Sequence, residues 1–177
     1  MKQLLALLML LCLPSWAWAV GVLTPAAGDA TFMVAERSIE TPSKVMVNAD
    51  VVFTITGGAI EIIELVSICV TANDATASTM QWQSVPTVGT ATTISGATAT
   101  LASATAGSAV YLAPATLATA PTIVTAAGGG LLLSIQTNKI IVKDGTIKLV
   151  IGVGSTTGTW RHVLRYKPLS PSATVVP

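Results

Sequence analysis

Residues 140–169 read IIVKDGTIKLVIGVGSTTGTWRHVLRYKPL, and this stretch decides the fold class. Ile140, Ile141 and Val142 are β-branched and lead into Lys143-Asp144-Gly145, where Asp and Gly favour the positive φ values of a hairpin turn. From Thr146 the character alternates. Ile147, Leu149 and Ile151 share one face, and Thr146, Lys148 and Val150 share the other, the period of a half-buried antiparallel strand. Gly152 and Gly154 loosen its end, and residues 155–158 supply a second polar turn. Trp160, His162, Leu164 and Tyr166 then lie on a face opposite Arg161, Val163 and Arg165. Pro168 and Pro171 lack a backbone donor, so regular pairing is expected to stop near Lys167. Three strands joined by two tight turns are predicted. Register should be well fixed, because a one-residue slip would carry Arg161 and Arg165 into the core.

Working outward, the 177-residue chain is long enough for one domain with a real core. Charged residues make up 10% and hydrophobic residues 51%, which argues against disorder and against the basic stripe of a nucleic-acid binder. Such a charge-poor surface suits a subunit largely covered by copies of itself or by a larger assembly. The first 19 residues differ from the rest: Lys2, an apolar run over 4–13, a Pro14-Ser15 break and Ala17-Trp18-Ala19. That is the pattern of a secretory signal peptide cleaved before Val20; the alternative is a hydrophobic N-terminal arm that packs on a partner. Any membrane contact is then transient, through the leader. Residues 20–30 read as an extended linker, 31–169 as a single β-sandwich domain and 170–177 as a tail extended over the surface or a neighbour.

Within the domain, an edge strand is expected around 32–34 and short strands at 44–47 and 51–55, before a Gly57-Gly58 turn. Residues 59–71 form an apolar run crowded with β-branched side chains and interrupted by Glu61 and Glu64. It reads as a bulged central strand, with a helix as the alternative. An i,i+3 spacing places the two glutamates on opposite faces of a strand, which makes them a poor acid/base pair. Asn73-Asp74 opens a polar turn, and a strand over 78–85 carries Met80, Trp82 and Ser84 on one face. Residues 86–127 form an Ala/Thr/Ser/Gly tract, read as an ordered, loop-rich part of the sandwich or else as a tail, with a short helix at 115–120. Gly128-Gly129-Gly130 lacks the Lys-Ser/Thr of a phosphate loop. A strand at 131–135 is expected to pair with the Ile140 strand through a turn at 136–138.

Candidate functional residues are few. Cys69 is the sole cysteine beyond the leader and reads as a buried, inert thiol. His162 is the only histidine, so no histidine-centred metal site or second imidazole is available. No metal, cofactor, small-molecule substrate or catalytic group is expected, and no serine stands in a G-x-S-x-G elbow. The candidate interface comprises Trp160, Arg161, His162, Arg165, Tyr166 and Lys167. Arg161, Arg165 and Lys167 form a basic ladder with three readings: solvated gatekeepers on an edge strand, partners of Glu36, Glu40 or Glu64 on a neighbour, or a glycan or phosphate site. Trp82, Trp160 and Tyr111 are candidates for a carbohydrate platform. The fold class expected is all-β, an antiparallel, jelly-roll-like sandwich.

The order Val-Phe-Thr-Ile-Thr-Gly-Gly, then Ile-x-Ile-x-Glu-Leu-Val over 52–66, resembles small β-rich structural proteins of tailed-bacteriophage virions. Thr79-Met80-Gln81-Trp82-Gln83, Asp144-Gly145-Thr146-Ile147, and Thr157-Gly158-Thr159-Trp160 running to Leu164-Arg165-Tyr166-Lys167-Pro168-Leu169 extend the resemblance over residues 31–176. It implies a many-copy virion component that decorates the head or forms an appendage, with itself and other virion proteins as partners and no catalytic residues. The leader departs from this pattern. It points to assembly with an unprocessed N-terminus, or to an exported surface or periplasmic module that binds glycan or a cell surface.

Overall fold

The computed structural model describes residues 35–112, 119–126, 138–155 and 157–177. They form two antiparallel sheets packed face to face. The larger sheet contains β1 (Arg37–Glu40), β2 (Lys44–Val45), β4 (Ile60–Thr71), β7 (Ala109–Tyr111), β8 (Thr122–Val124), β9 (Ile140–Val142) and β11 (Thr159–Pro168). Its main order is β1-β11-β4-β7-β8; β2 also pairs with β11, and β9 with β4. The smaller sheet comprises β3 (Val51–Thr56), β5 (Met80–Pro86), β6 (Thr92–Thr93), β10 (Gly145–Ile151) and β12 (Thr174–Val176), in the order β12-β3-β10-β5-β6.

The alternation read from residues 140–169 holds on both long strands. Ile147, Leu149 and Ile151 of β10 are buried, and so are Trp160, His162, Leu164 and Tyr166 of β11. The intervening residues are half-buried or exposed. These two faces meet in one core with Phe53, Ile55, Ile62, Leu65, Met80 and Trp82. Each fully buried side chain of this size contributes about 1.5–3 kcal/mol relative to exposure.

The predicted connections differ from the observed ones. Neither turn is a hairpin. β9 pairs with β4 in the larger sheet, whereas β10 lies in the smaller sheet between β3 and β5. β11 returns to the larger sheet between β1 and β4. Both turns therefore carry the chain across the sandwich. Gly145 has a φ of +145°, as the turn chemistry required, and a Cβ there would collide with the Val85 carbonyl oxygen. Asp144 is more than a turn residue. Its Oδ1 accepts the Gly58 amide at 2.6 Å and its carbonyl accepts the Thr87 amide at 2.8 Å, pinning three turns together.

β4 is a bulged central strand. Arg165 pairs with Glu64 and Tyr166 with Ile62, so Ile63 is skipped and the inward parity changes. Ile60 and Ile62 point inward before the bulge, Leu65, Ser67 and Cys69 after it. Glu61 and Glu64 consequently stand on the same outer face, not on opposite ones. The tail is corrected too. Residues 174–176 form β12 on the edge of the smaller sheet, with Ala173 and Val175 buried. The 86–127 tract contributes three short strands and buries Ile94, Leu101, Val110 and Leu112. The strands expected around 32–34 and at 131–135, and most of the 115–120 helix, lie outside the described residues.

Candidate functional site

β11 carries all six candidate interface residues, and the pleat divides them. Trp160, His162 and Tyr166 face the interior at 0%, 1% and 4% exposure, so within the subunit they meet its own core. Arg161, Arg165 and Lys167 stand on the outer face of the larger sheet.

Because β11 is flanked by β1 and β4, its basic ladder is not an edge. Acids of the same chain meet it. Arg161 Nη1 donates to Glu40 Oε1 at 2.9 Å. Arg165 donates through Nη1 to Glu64 Oε2 at 2.9 Å and through Nη2 to Glu36 Oε2 at 3.0 Å. These two carboxylates hold the Arg165 guanidinium above its ordinary pKa, through hydrogen bonds first and charge attraction second. Lys167 stands opposite Glu61 in the register, and Glu61 pairs with Lys139 at 3.2 Å. Exposed pairs of this kind add little stability. Their effect is to leave the face electrically balanced.

The inner face of β11 holds two polar knots. His162 Nδ1 and Ser67 Oγ share a 2.6 Å hydrogen bond across β11 and β4. The His162 amide donates to Thr41 Oγ1 and its carbonyl accepts the Thr41 amide, both at 2.9 Å. Burial pushes the imidazole down to about 4, helped by the Lys44 charge and opposed by Asp50. The ring is therefore neutral at pH 7. A serine beside a neutral imidazole has the pairing of a nucleophile and base, but Ser67 is 0% exposed and the pair is sealed from substrate. In the second knot, Trp160 Nε1 donates to Asn73 Oδ1 and Asn73 Nδ2 donates to the Leu101 carbonyl, both at 2.9 Å. Sequence reasoning missed Asn73, which looked like an ordinary turn residue.

The other candidates are accounted for by packing. Cys69 is buried, its thiol donates to the Thr71 carbonyl at 3.2 Å, and desolvation raises its pKa. Trp82 and Trp160 lie in the core and Tyr111 is half-buried on β7, so the three build no surface platform for a sugar. Among the described residues no three His, Cys, Asp or Glu side chains group as metal ligands. A cleft of about 400 Å³ opens between β9 and the loop after β5, lined by Pro86, Val88, Ile94, Ile141 and Lys143 among others. No family model, curated protein or solved structure matches the chain.

Proposed function

We propose that the chain is a non-enzymatic structural subunit of a bacteriophage virion, self-associating and either decorating the head or forming an appendage. The observation that carries this reading is the distribution of its few charges. Arg161 and Arg165 are matched within the subunit by Glu36, Glu40 and Glu64, while Val47, Val88, Ile141 and Val153 remain more than half exposed. A chain that balances its ions internally and shows aliphatic side chains to solvent is built to be covered. The motifs behind the virion resemblance also fall on the framework: residues 52–66 span β3 and the start of β4, 79–83 enter β5, and 157–169 include β11. The two sheet-changing turns support the jelly-roll-like form of the sandwich.

The leader-like N-terminus favours a second reading, an exported surface or periplasmic module that binds glycan or a cell surface. One experiment separates the two. Purified particles are digested and the peptides mapped by mass spectrometry. The protein is expected in the particles in many copies, and its absence overturns the virion reading. A mature N-terminus at Val20 in a periplasmic or secreted fraction establishes the second reading instead.

A further inference from the structure

Beside β9 the two sheets part. β5 ends at Pro86, and the chain turns back through Gly89, at a φ of +126° that favours glycine, to lay β6 antiparallel to β5. β9 is three residues long before the chain crosses to the smaller sheet. The Thr87 amide donates to the Asp144 carbonyl at 2.8 Å and ties the turn after β5 to that crossing. Between them lies the cleft of about 400 Å³. Ile94, Ile140 and Val142 of the core line it, and Pro86 and the 85% exposed Val88 extend the apolar lining outward. A cavity of this size, mostly apolar with a few polar groups, has the ordinary form of a small-molecule site.

Two polar features stand in this lining. Ser84, 8% exposed on the inward face of β5, has a side-chain hydroxyl with no partner among the described residues. A serine left so costs stability that alanine would not, unless water or a ligand meets the hydroxyl. The charged lining residues are Lys139 and Lys143, which flank β9, and no acid lines the cleft among the described residues. Lys139 is paired with Glu61 at 3.2 Å. Lys143 is exposed and has no ion pair among the described residues. Asp144 follows it in the chain but does not line the cleft, and its Oδ1 accepts the Gly58 amide at 2.6 Å. Lys143 is the cation that the cleft offers to a ligand.

We propose that this cleft binds a small monocarboxylate with a short apolar body, the body against Ile94, Ile140 and Val142 and the carboxylate at Lys143. The aliphatic lining selects the body, since burying it removes apolar surface from water on both sides. One free ammonium matches one negative charge. A phosphate group, with its second charge and three acceptor oxygens, would find a single free cation here. No aromatic ring lines the cleft for a sugar face to stack on. The Ser84 hydroxyl adds a donor from within. The inference goes beyond the structural role proposed above and holds whether or not the protein is found in particles.

The test titrates the ¹⁵N-labelled full chain with octanoate and follows the amide resonances. Octanoate is expected to bind with a Kd of about 1 mM or tighter, shifting residues 84–94 and 139–143. Octanol keeps the body without the charge, acetate the charge without the body, and octylammonium reverses the charge; each is expected to bind more weakly. Lys143→Glu, at an exposed position that leaves the spectrum of the fold unchanged, should weaken octanoate about fivefold, an attraction lost and a repulsion gained. Lys148→Glu, on the smaller sheet and outside the cleft lining, should leave it unchanged. Octanoate that shifts nothing, or shifts residues elsewhere, overturns the proposal. So does octanol, acetate or octylammonium binding as tightly as octanoate. So does a Lys143→Glu variant that binds like wild type, or a Lys148→Glu variant weakened as much as Lys143→Glu.

Discussion

Replacing Asn73 and Gly158 together should be far less harmful than the sum of the two single changes. The Asn73 side chain joins Trp160 Nε1 to the Leu101 carbonyl, and the Asn73 backbone N–H donates to the Ala104 carbonyl at 2.9 Å. Asn73→Ala leaves the indole N–H and the Leu101 carbonyl without partners in a buried site. At about 1–3 kcal/mol for each of the two orphaned groups, the loss is about 2–6 kcal/mol. Gly158 faces the same amide: a Cβ there would collide with Asn73 Oδ1 and lie 3.0 Å from Asn73 Cα. Gly158→Ala therefore forces Asn73 off its partners and should cost about 2–4 kcal/mol, combining overpacking with lost hydrogen bonds. In the double variant the new methyl enters space the amide has left, and only the tight backbone contact remains. The double change should cost about 1 kcal/mol more than Asn73→Ala alone, for that remaining contact, giving a coupling energy of about 1–3 kcal/mol. Urea unfolding followed by tryptophan fluorescence measures all four corners of the cycle. Additive costs would refute the claim that Gly158 is there to admit the Asn73 amide.

Two further outcomes follow from His162 and from β12. With the imidazole near 4 in the folded chain and 6.5 unfolded, the unfolded state binds the extra proton between those values. Stability should fall by about 3 kcal/mol as pH drops from 6.5 to 4 and then lose nothing more from this group; a His162→Gln variant whose stability–pH curve is as steep as wild type there would contradict the assignment. Val175→Asp, which puts a carboxylate at a 6% exposed site on β12, should cost about 3 kcal/mol or more in urea unfolding, whereas a loose surface tail would tolerate it.

The alternation in β10 and β11 was legible because period-two burial is a local property, set by neighbours two residues apart. What alternation does not encode is which strand lies alongside. β10 reads the same whether its partner is β9 or, as observed, β3 and β5. The faces of Glu61 and Glu64 were misassigned for a related reason. A bulge at Ile63 reverses parity, and nothing in an Ile-Glu-Ile-Ile-Glu run marks which residue is skipped. Of the three readings of the basic ladder, the one that named Glu36, Glu40 and Glu64 put them on a neighbour; Glu36 lies 129 residues from Arg165 in the chain, and only the sheet order brings them together within one subunit. β12 was hidden by its length, three residues between Pro171 and Pro177 with one inward valine. Asn73 was hidden because an asparagine in a turn ordinarily serves its own turn.

The misread turns and the exposed aliphatics have a common cause. Packed sheets lie about 10 Å apart, and three Cα steps, from Val142 to Gly145, reach at most about 11 Å. Lys143 and Asp144 must therefore run nearly straight across the end of the sandwich, and no hairpin pairing is open to them. At the other end, residues 152–158 make the return crossing with more chain, which leaves Val153 outside the core. A hairpin closes off the end of its sheet with a tight polar turn, but a crossing spreads backbone over the gap between sheets. Changing sheets at both ends of β10 thus produces two broad end surfaces. One is crossed by Lys143 and Asp144, and at the other Val153 stands exposed beside the turn that carries Val47.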